Sequence, residues 1–163
     1  MEKRDVNFTF DNDRFNYRVG ILIFCGNKVL ISKFESVNFY NIMGGRVKLG
    51  ESTQDAVKRE LKEELDYDLN VPIELKIVSE DFFNWMDKYV QELTFVYKLE
   101  LSEEYFEMFK NFNVIDSKDE RVNWFDKDQL QKINCVKNFM KEVFDLPQGI
   151  VHAIDGEIVS YKK

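Results

Sequence analysis

The chain has 163 residues, 44% of them hydrophobic, and carries 23 Lys and Arg against 30 Asp and Glu, a net charge of −7. Length and apolar content suit one domain over residues 1–163 with a sizeable core, and 15 Phe against 2 Pro argue against a disordered chain. The acidic balance speaks against a protein that tracks a nucleic-acid polymer, which needs a basic face to release counterions; small phosphorylated ligands stay open, because a bound cation reverses the local field.

Met1-Glu2-Lys3-Arg4-Asp5 is mixed in charge and leads into no long apolar segment, so no signal peptide is expected. The longest apolar run, Val19 to Cys25, is far too short to cross a membrane. Cys25 and Cys135 stand far apart and outside any ligand spacing, as reduced thiols do. These features predict a cytoplasmic protein with no membrane partner.

Phe15 to Phe24 is rich in aromatic and β-branched residues, and Cys25-Gly26-Asn27-Lys28 turns it into Val29 to Phe34 as a β-hairpin. A loop from Glu35 to Asn41 leads to a short strand near Ile42 and Gly44-Gly45, with Arg46-Val47-Lys48 extended. Ser52 is a good N-cap with Asp55 three residues on, so a helix follows whose apolar stripe is Val57, Leu61 and Leu65. After Pro72, strands are predicted over 73–79, 81–85 and 91–101, the last two joined by a turn at Met86-Asp87-Lys88. Tyr105, Phe106, Phe109 and Phe112 give Ser102 to Phe112 the spacing of a short helix. Arg121 to Phe125 reads as a strand, Asp126 to Phe144 as a helix, and Asp155-Gly156 as the turn of a hairpin spanning Gly149 to Tyr161. Strands flanking a helix, more strands and a second helix predict an α+β fold, an α/β/α sandwich with a mixed β-sheet.

The most informative segment is Gly45-Arg46-Val47-Lys48-Leu49-Gly50-Glu51, followed after seven residues by Arg59-Glu60-Leu61-Lys62-Glu63-Glu64. At about 100° per residue, Glu60, Glu63 and Glu64 share one helical face. Glu60 and Glu64 repel at i,i+4, which costs a helix a few tenths of a kcal/mol. A solvated surface would place opposite charges there. Mg²⁺ or Mn²⁺, which prefers oxygen ligands, relieves the crowding.

Gly45, Glu51, Arg59, Glu60, Leu61, Glu63 and Glu64 at this spacing resemble the Nudix box, and Tyr40 to Gly45 resembles its aromatic-x-Leu-Pro-Gly-Gly lead-in, with Met43 in place of Pro. Asp66 replaces the family's Gly and Tyr67 an aliphatic residue, departures that touch the turn after the helix rather than the ligands; Asp tolerates the left-handed conformation a Gly would adopt. The order of elements fits the Nudix fold.

The resemblance implies a hydrolase that cleaves a diphosphate linkage in a nucleoside diphosphate derivative or nucleotide. It implies Mg²⁺ or Mn²⁺ held by Glu60, Glu63 and Glu64 with the Gly44 carbonyl, and Arg59 orienting Glu51, which also suits the helix dipole. Either Glu63 or Glu64 can act as general base, or a distal acid, for which Glu120, in the loop before the Arg121 strand, is best placed. Arg18 and Arg46 are candidate phosphate contacts, with plain surface charge as the alternative. Of Phe82, Phe83 and Trp85, where the family sorts substrates, most are expected in the core, with Phe83 a candidate to stack on a base. Phe82 holds the position of a proline common in relatives that cleave ADP-ribose, which argues against that substrate. His152 stands alone as a surface or core histidine. Two other classes remain: a Nudix-fold module that senses a nucleotide without turnover, and a protein whose acidic helix meets a basic partner. The sequence leaves the leaving group and a homodimer open.

Overall fold

The computed structural model describes residues 3–160. β1 (Asn7–Phe10) turns at Asp11 into β2 (Asp13–Cys25), and β3 (Lys28–Phe34) completes the expected hairpin across Gly26. β4 (Tyr40–Asn41) and β5 (Met43–Arg46) follow, then α1 (Thr53–Leu65), the long hairpin β6 (Glu74–Trp85) and β7 (Lys88–Glu100), α2 (Glu104–Met108), β8 (Phe112–Asn113) and β9 (Glu120–Phe125). The chain closes with α3 (Lys127–Gln131), a 3₁₀ turn (Asn138–Glu142), and the hairpin of β10 (Val151–Ile154) and β11 (Glu157–Ile158). Among the described residues the sheet runs β11-β10-β6-β7-β2-β3-β9-β8, with β1 and β5 paired to β2 and β4 to β3. It is mixed: β2 with β7 and β10 with β6 are parallel, and the remaining pairs antiparallel.

Alternation along β2 sends Val19, Ile21 and Ile23 into one core, with Ala56, Val57, Leu61 and Leu65 of α1, and Leu22 and Phe24 into the other, with Leu130, Phe139 and Met140. A helical layer therefore covers each face, as the α/β/α expectation required. No helix among the described residues is long and apolar enough to cross a membrane.

Four expectations need correction. The strands predicted over 73–79 and 81–85 are one strand, β6, because Glu80 stays in register with Leu93 and the ladder breaks only at a bulge between Leu75 and Ile77. The helix predicted over 126–144 is two short pieces. Between them Asn134 accepts from the Tyr40 amide at 2.9 Å and Val136 donates to the Tyr40 carbonyl at 2.9 Å, so a bridge to β4 satisfies backbone that a helix would have used, through residues of modest helix propensity. The helix expected over Ser102 to Phe112 is confined to α2, and Phe112 belongs to β8. β1 went unread, although Asp11 with φ 49° makes its turn. The terminal hairpin forms at Asp155-Gly156 (φ 50° and 79°), as Asp-Gly favours; Tyr161 lies outside the described residues.

Ser52 caps α1, its hydroxyl accepting from the Asp55 amide at 3.1 Å. Asp66 ends the helix in the left-handed region (φ 52°, ψ 34°), its amide donating to the Lys62 carbonyl at 3.1 Å, the 5→1 bond of an αL end, while the Tyr67 amide donates to the Leu61 carbonyl at 3.1 Å. Asp66→Ala should therefore lower stability by about 1 kcal/mol, the cost of a Cβ in this conformation without a short polar side chain. Asp66→Gly should be neutral or slightly stabilising, its relaxed backbone offsetting loss of the exposed Lys62–Asp66 ion pair. Urea melts of both variants check the sign. A large loss of turnover in a well-folded Asp66→Gly would instead move this side chain into the active site.

Candidate active site

Glu60 and Glu64 are buried at 6% and 5% exposure, whereas Glu63 faces outward. Their burial follows from α1 packing on β5: a Cβ on Gly45 would overlap the Glu60 carboxylate, and one on Gly44 (φ 141°) would strike the Val19 carbonyl. The glycine pair is thus required by close approach, not by an ordinary turn.

Arg59 organises the helix's acids. Its Nε and Nη2 donate to the two Glu51 oxygens at 2.8 and 3.0 Å, Nη2 also to the Arg46 carbonyl at 2.9 Å, and Nη1 to Glu60 at 2.6 Å and Glu63 at 2.9 Å. The Lys48 amide donates to Glu51 at 2.9 Å. Burial works to raise the Glu51 carboxyl, but these bonds outweigh it and hold the group below its usual range; burial likewise opposes the Arg59 charge, and its carboxylate partners raise its pKa.

Glu64 has no such cation. Burial first, then the charges of Glu120, Glu60 and Asp116, push it up to about 9 against the opposing pull of Arg18. Its Oε2 is buried with no hydrogen-bond partner among the described residues. Glu60 is raised by burial, with Arg59 opposing and Glu63 and Asp116 adding to the rise. Glu120 is also raised by burial, although Ser32 donates a hydrogen bond to it and Arg18 pulls it down. Glu120 is the first residue of β9, paired with Phe34, rather than part of the loop before it.

Elements distant in sequence thus bring Glu60, Glu64, Glu120 and Asp116 into one electrostatic cluster beside Arg18. Ser32 and Asp116 were not anticipated. Ser32 had a signal, a hydroxyl at an inward position of a core strand; Asp116 had none, since its loop is placed by the Ile115 amide donating to the Glu64 carbonyl at 3.0 Å. Among the described residues no three Asp, Glu, His or Cys side chains are already gathered as a ligand set, because Glu60 and Glu63 turn onto Arg59. The donor chemistry nonetheless fits a hard cation: buried carboxylate oxygens in excess, and Glu64 Oε2 lacking a partner.

A cavity of about 800 Å³ is lined by Arg18, Phe83 and Trp85 among others. Phe82, Phe83 and Trp85 are all exposed, so the expectation that most of them pack in the core fails: this end of β6 runs beyond its buried part. Arg46 does not line the cavity; its Nη1 reaches Asp5 at 3.4 Å. His152 pairs with Glu80 at 2.8 Å, away from both.

The NUDIX domain model matches residues 14–146, and the chain belongs to this family. No curated protein matches it. Solved structures show the same fold. A MutT mutator protein from Bacillus halodurans is 19% identical with a TM-score of 0.62, over 90% of this chain and 96% of that one. A NUDIX-family hydrolase from Clostridium perfringens is 18% identical with a TM-score of 0.56, over 80% and 97%. The NUDIX domain of Shewanella oneidensis NrtR, complexed with ADP ribose, is 16% identical with a TM-score of 0.55, over 74% and 78%.

Proposed function

We propose that this chain is a single-domain enzyme that hydrolyses a diphosphate linkage in a nucleotide or nucleoside diphosphate derivative with Mg²⁺ or Mn²⁺. One observation carries the reading: Glu64, buried beside Glu60, Glu120 and Asp116, keeps a carboxylate oxygen without a partner, which costs folding energy that a substrate-bound cation would recover. Glu60, Glu63 and Glu64, with the Gly44 carbonyl, would hold the ion, Glu60 and Glu63 exchanging Arg59 for it. When bound, the metal supplies charge neutralisation at the phosphate oxygens and lowers the pKa of attacking water.

The chain's own residues do the rest. Arg59 keeps Glu51 fixed against the Lys48 amide, so the loop ahead of α1 stays in place when Glu60 and Glu63 move. Arg18, between the carboxylate cluster and the cavity, receives the substrate's phosphates, with Arg46 a further contact at the outer edge. Glu120, held by Ser32, accepts the proton of the attacking water; Glu63 and Glu64 are the other candidates for this base.

A Mg²⁺-dependent phosphate-release screen over nucleoside triphosphates, dinucleoside polyphosphates, nucleotide sugars, ADP-ribose and NADH tests the reading. Turnover that EDTA abolishes is expected. Tight binding of one of these compounds with no turnover under either metal would make the chain a sensing module instead. Mg²⁺ should also raise the melting temperature by mass action, and Glu60→Gln should blunt the rise. A melting curve unchanged up to tens of millimolar Mg²⁺, with and without nucleotide, would remove the metal site.

A further inference from the structure

The floor of the 800 Å³ cavity carries charge that the hydrolytic chemistry does not use. Asp81, Glu92, Lys137 and Thr94 line it, and all are more than nine-tenths buried. Lys137 Nζ donates to Asp81 Oδ2 at 2.6 Å and lies 3.6 Å from Glu92 Oε1; Ser79 also donates to Asp81 Oδ2, at 2.9 Å. Asn16 donates to Glu92 Oε2 at 3.2 Å, and Arg18 lies 3.9 Å from the same oxygen. Asp81 Oδ1 and Glu92 Oε1 remain as acceptors, and Lys137 retains N–H groups to donate. Thr94 Oγ1 is buried with no hydrogen-bond partner among the described residues.

Lys137 faces the two carboxylates of Asp81 and Glu92, so this floor has no surplus positive charge for a phosphate. It suits a neutral polar ring. Period-2 alternation on β6 puts Phe83 and Trp85 on the same face as Asp81, and both line the cavity with exposed ring surface, 36% and 52%, able to stack on such a ring.

The hydrogen-bond inventory selects the ring's edge. Two carboxylate acceptors beside one ammonium donor complement an edge with two N–H donors and one carbonyl acceptor. Adenine offers one donor beside one acceptor, uracil a donor between two acceptors, and cytosine one donor and two acceptors. A 2-amino-4-oxopyrimidine edge, as in guanine or a pterin, offers a carbonyl, a ring N–H and an amino group. We propose that Asp81, Glu92 and Lys137 are specificity-determining residues that select a substrate carrying this edge, with Phe83 and Trp85 stacking on its ring. The inference rests on the proposed hydrolase for its phosphate half, with Arg18 joining ring site and carboxylate cluster.

Calorimetric binding to the full chain in EDTA, where no hydrolysis can occur, tests it with GDP, IDP, ADP and neopterin. GDP should bind about tenfold to a hundredfold tighter than IDP, which lacks the amino group, and than ADP, the range for losing a hydrogen bond to a charged partner. Asp81→Asn, which keeps shape but removes the charge, should bring GDP and IDP within about threefold of each other. Neopterin binding without GDP binding would assign the edge to a pterin. ADP or IDP binding as tightly as GDP, or no binding of GDP and neopterin, would overturn the proposal, as would an unchanged preference in a folded Asp81→Asn. If that variant fails to fold, the wild-type comparison still decides. A salt bridge that only anchors the 3₁₀ segment predicts no ring preference. Guanine-selective binding without hydrolysis under any metal would sink the hydrolase reading alone, and hydrolysis without this preference would sink the present inference alone.

Discussion

Glu64→Gln is expected to reduce turnover roughly a hundred- to ten-thousand-fold, the range for removing a positioned acid or base, without unfolding the protein. Gln matches the shape of the neutral carboxyl that burial and three neighbouring acids favour in the metal-free fold. The same substitution has a pH signature. A carboxyl whose folded pKa, about 9, lies above its unfolded value binds its proton more tightly in the fold. Its contribution is fully present below the unfolded pKa, near 4.3, and is lost as pH rises toward the folded one. The metal-free wild type should thus lose stability between these limits, and Glu64→Gln should flatten that slope. Urea melts across pH in EDTA measure the slope, and steady-state rates with Mg²⁺ measure turnover. Wild-type turnover in the variant would remove Glu64 from the chemistry; equal slopes would show that it carries no proton in the fold.

Arg59→Met should cost about 3–5 kcal/mol, the range for removing one partner of a buried ion pair. Arg59 is 18% exposed at its side chain, and the Glu51 and Glu60 carboxylates it would abandon are 6% and 8% exposed. Arg59→Lys should rescue little, because one ammonium cannot span both Glu51 oxygens, the Arg46 carbonyl and Glu60. A denaturation midpoint near wild type in Arg59→Met would show that the two glutamates simply take up protons. Raising the pH, which opposes that uptake, should deepen the loss.

Much of the α1 region was legible because its rules are local. Ser52 as cap, Val57, Leu61 and Leu65 as buried stripe, and Asp66 in the left-handed turn follow from spacing and backbone preference, and each is found. The hairpins at Gly26 and Asp155-Gly156 are of the same kind, their conformation a property of two adjacent residues. Helical periodicity likewise placed Glu60, Glu63 and Glu64 on one arc.

Local rules failed where the backbone's partner is distant. The 126–144 segment has a helical stripe and still buries Leu130, Phe139 and Met140, but Tyr40 supplies the hydrogen bonds that break it at Asn134 and Val136. Likewise, only the ladder with β7 makes residues 74–85 one strand.

By itself the sequence determined the family, through box spacing that a helix and a glycine loop turn into one acidic arc. The tertiary structure alone decided which acids of that arc are buried, that Asp116, Glu120 and Ser32 join them, and that Asp81, Glu92 and Lys137 meet on one cavity floor. The reason is physical: burial and charge coupling fall off over a few ångströms in space, and the residues that supply them here stand dozens of positions apart in the chain.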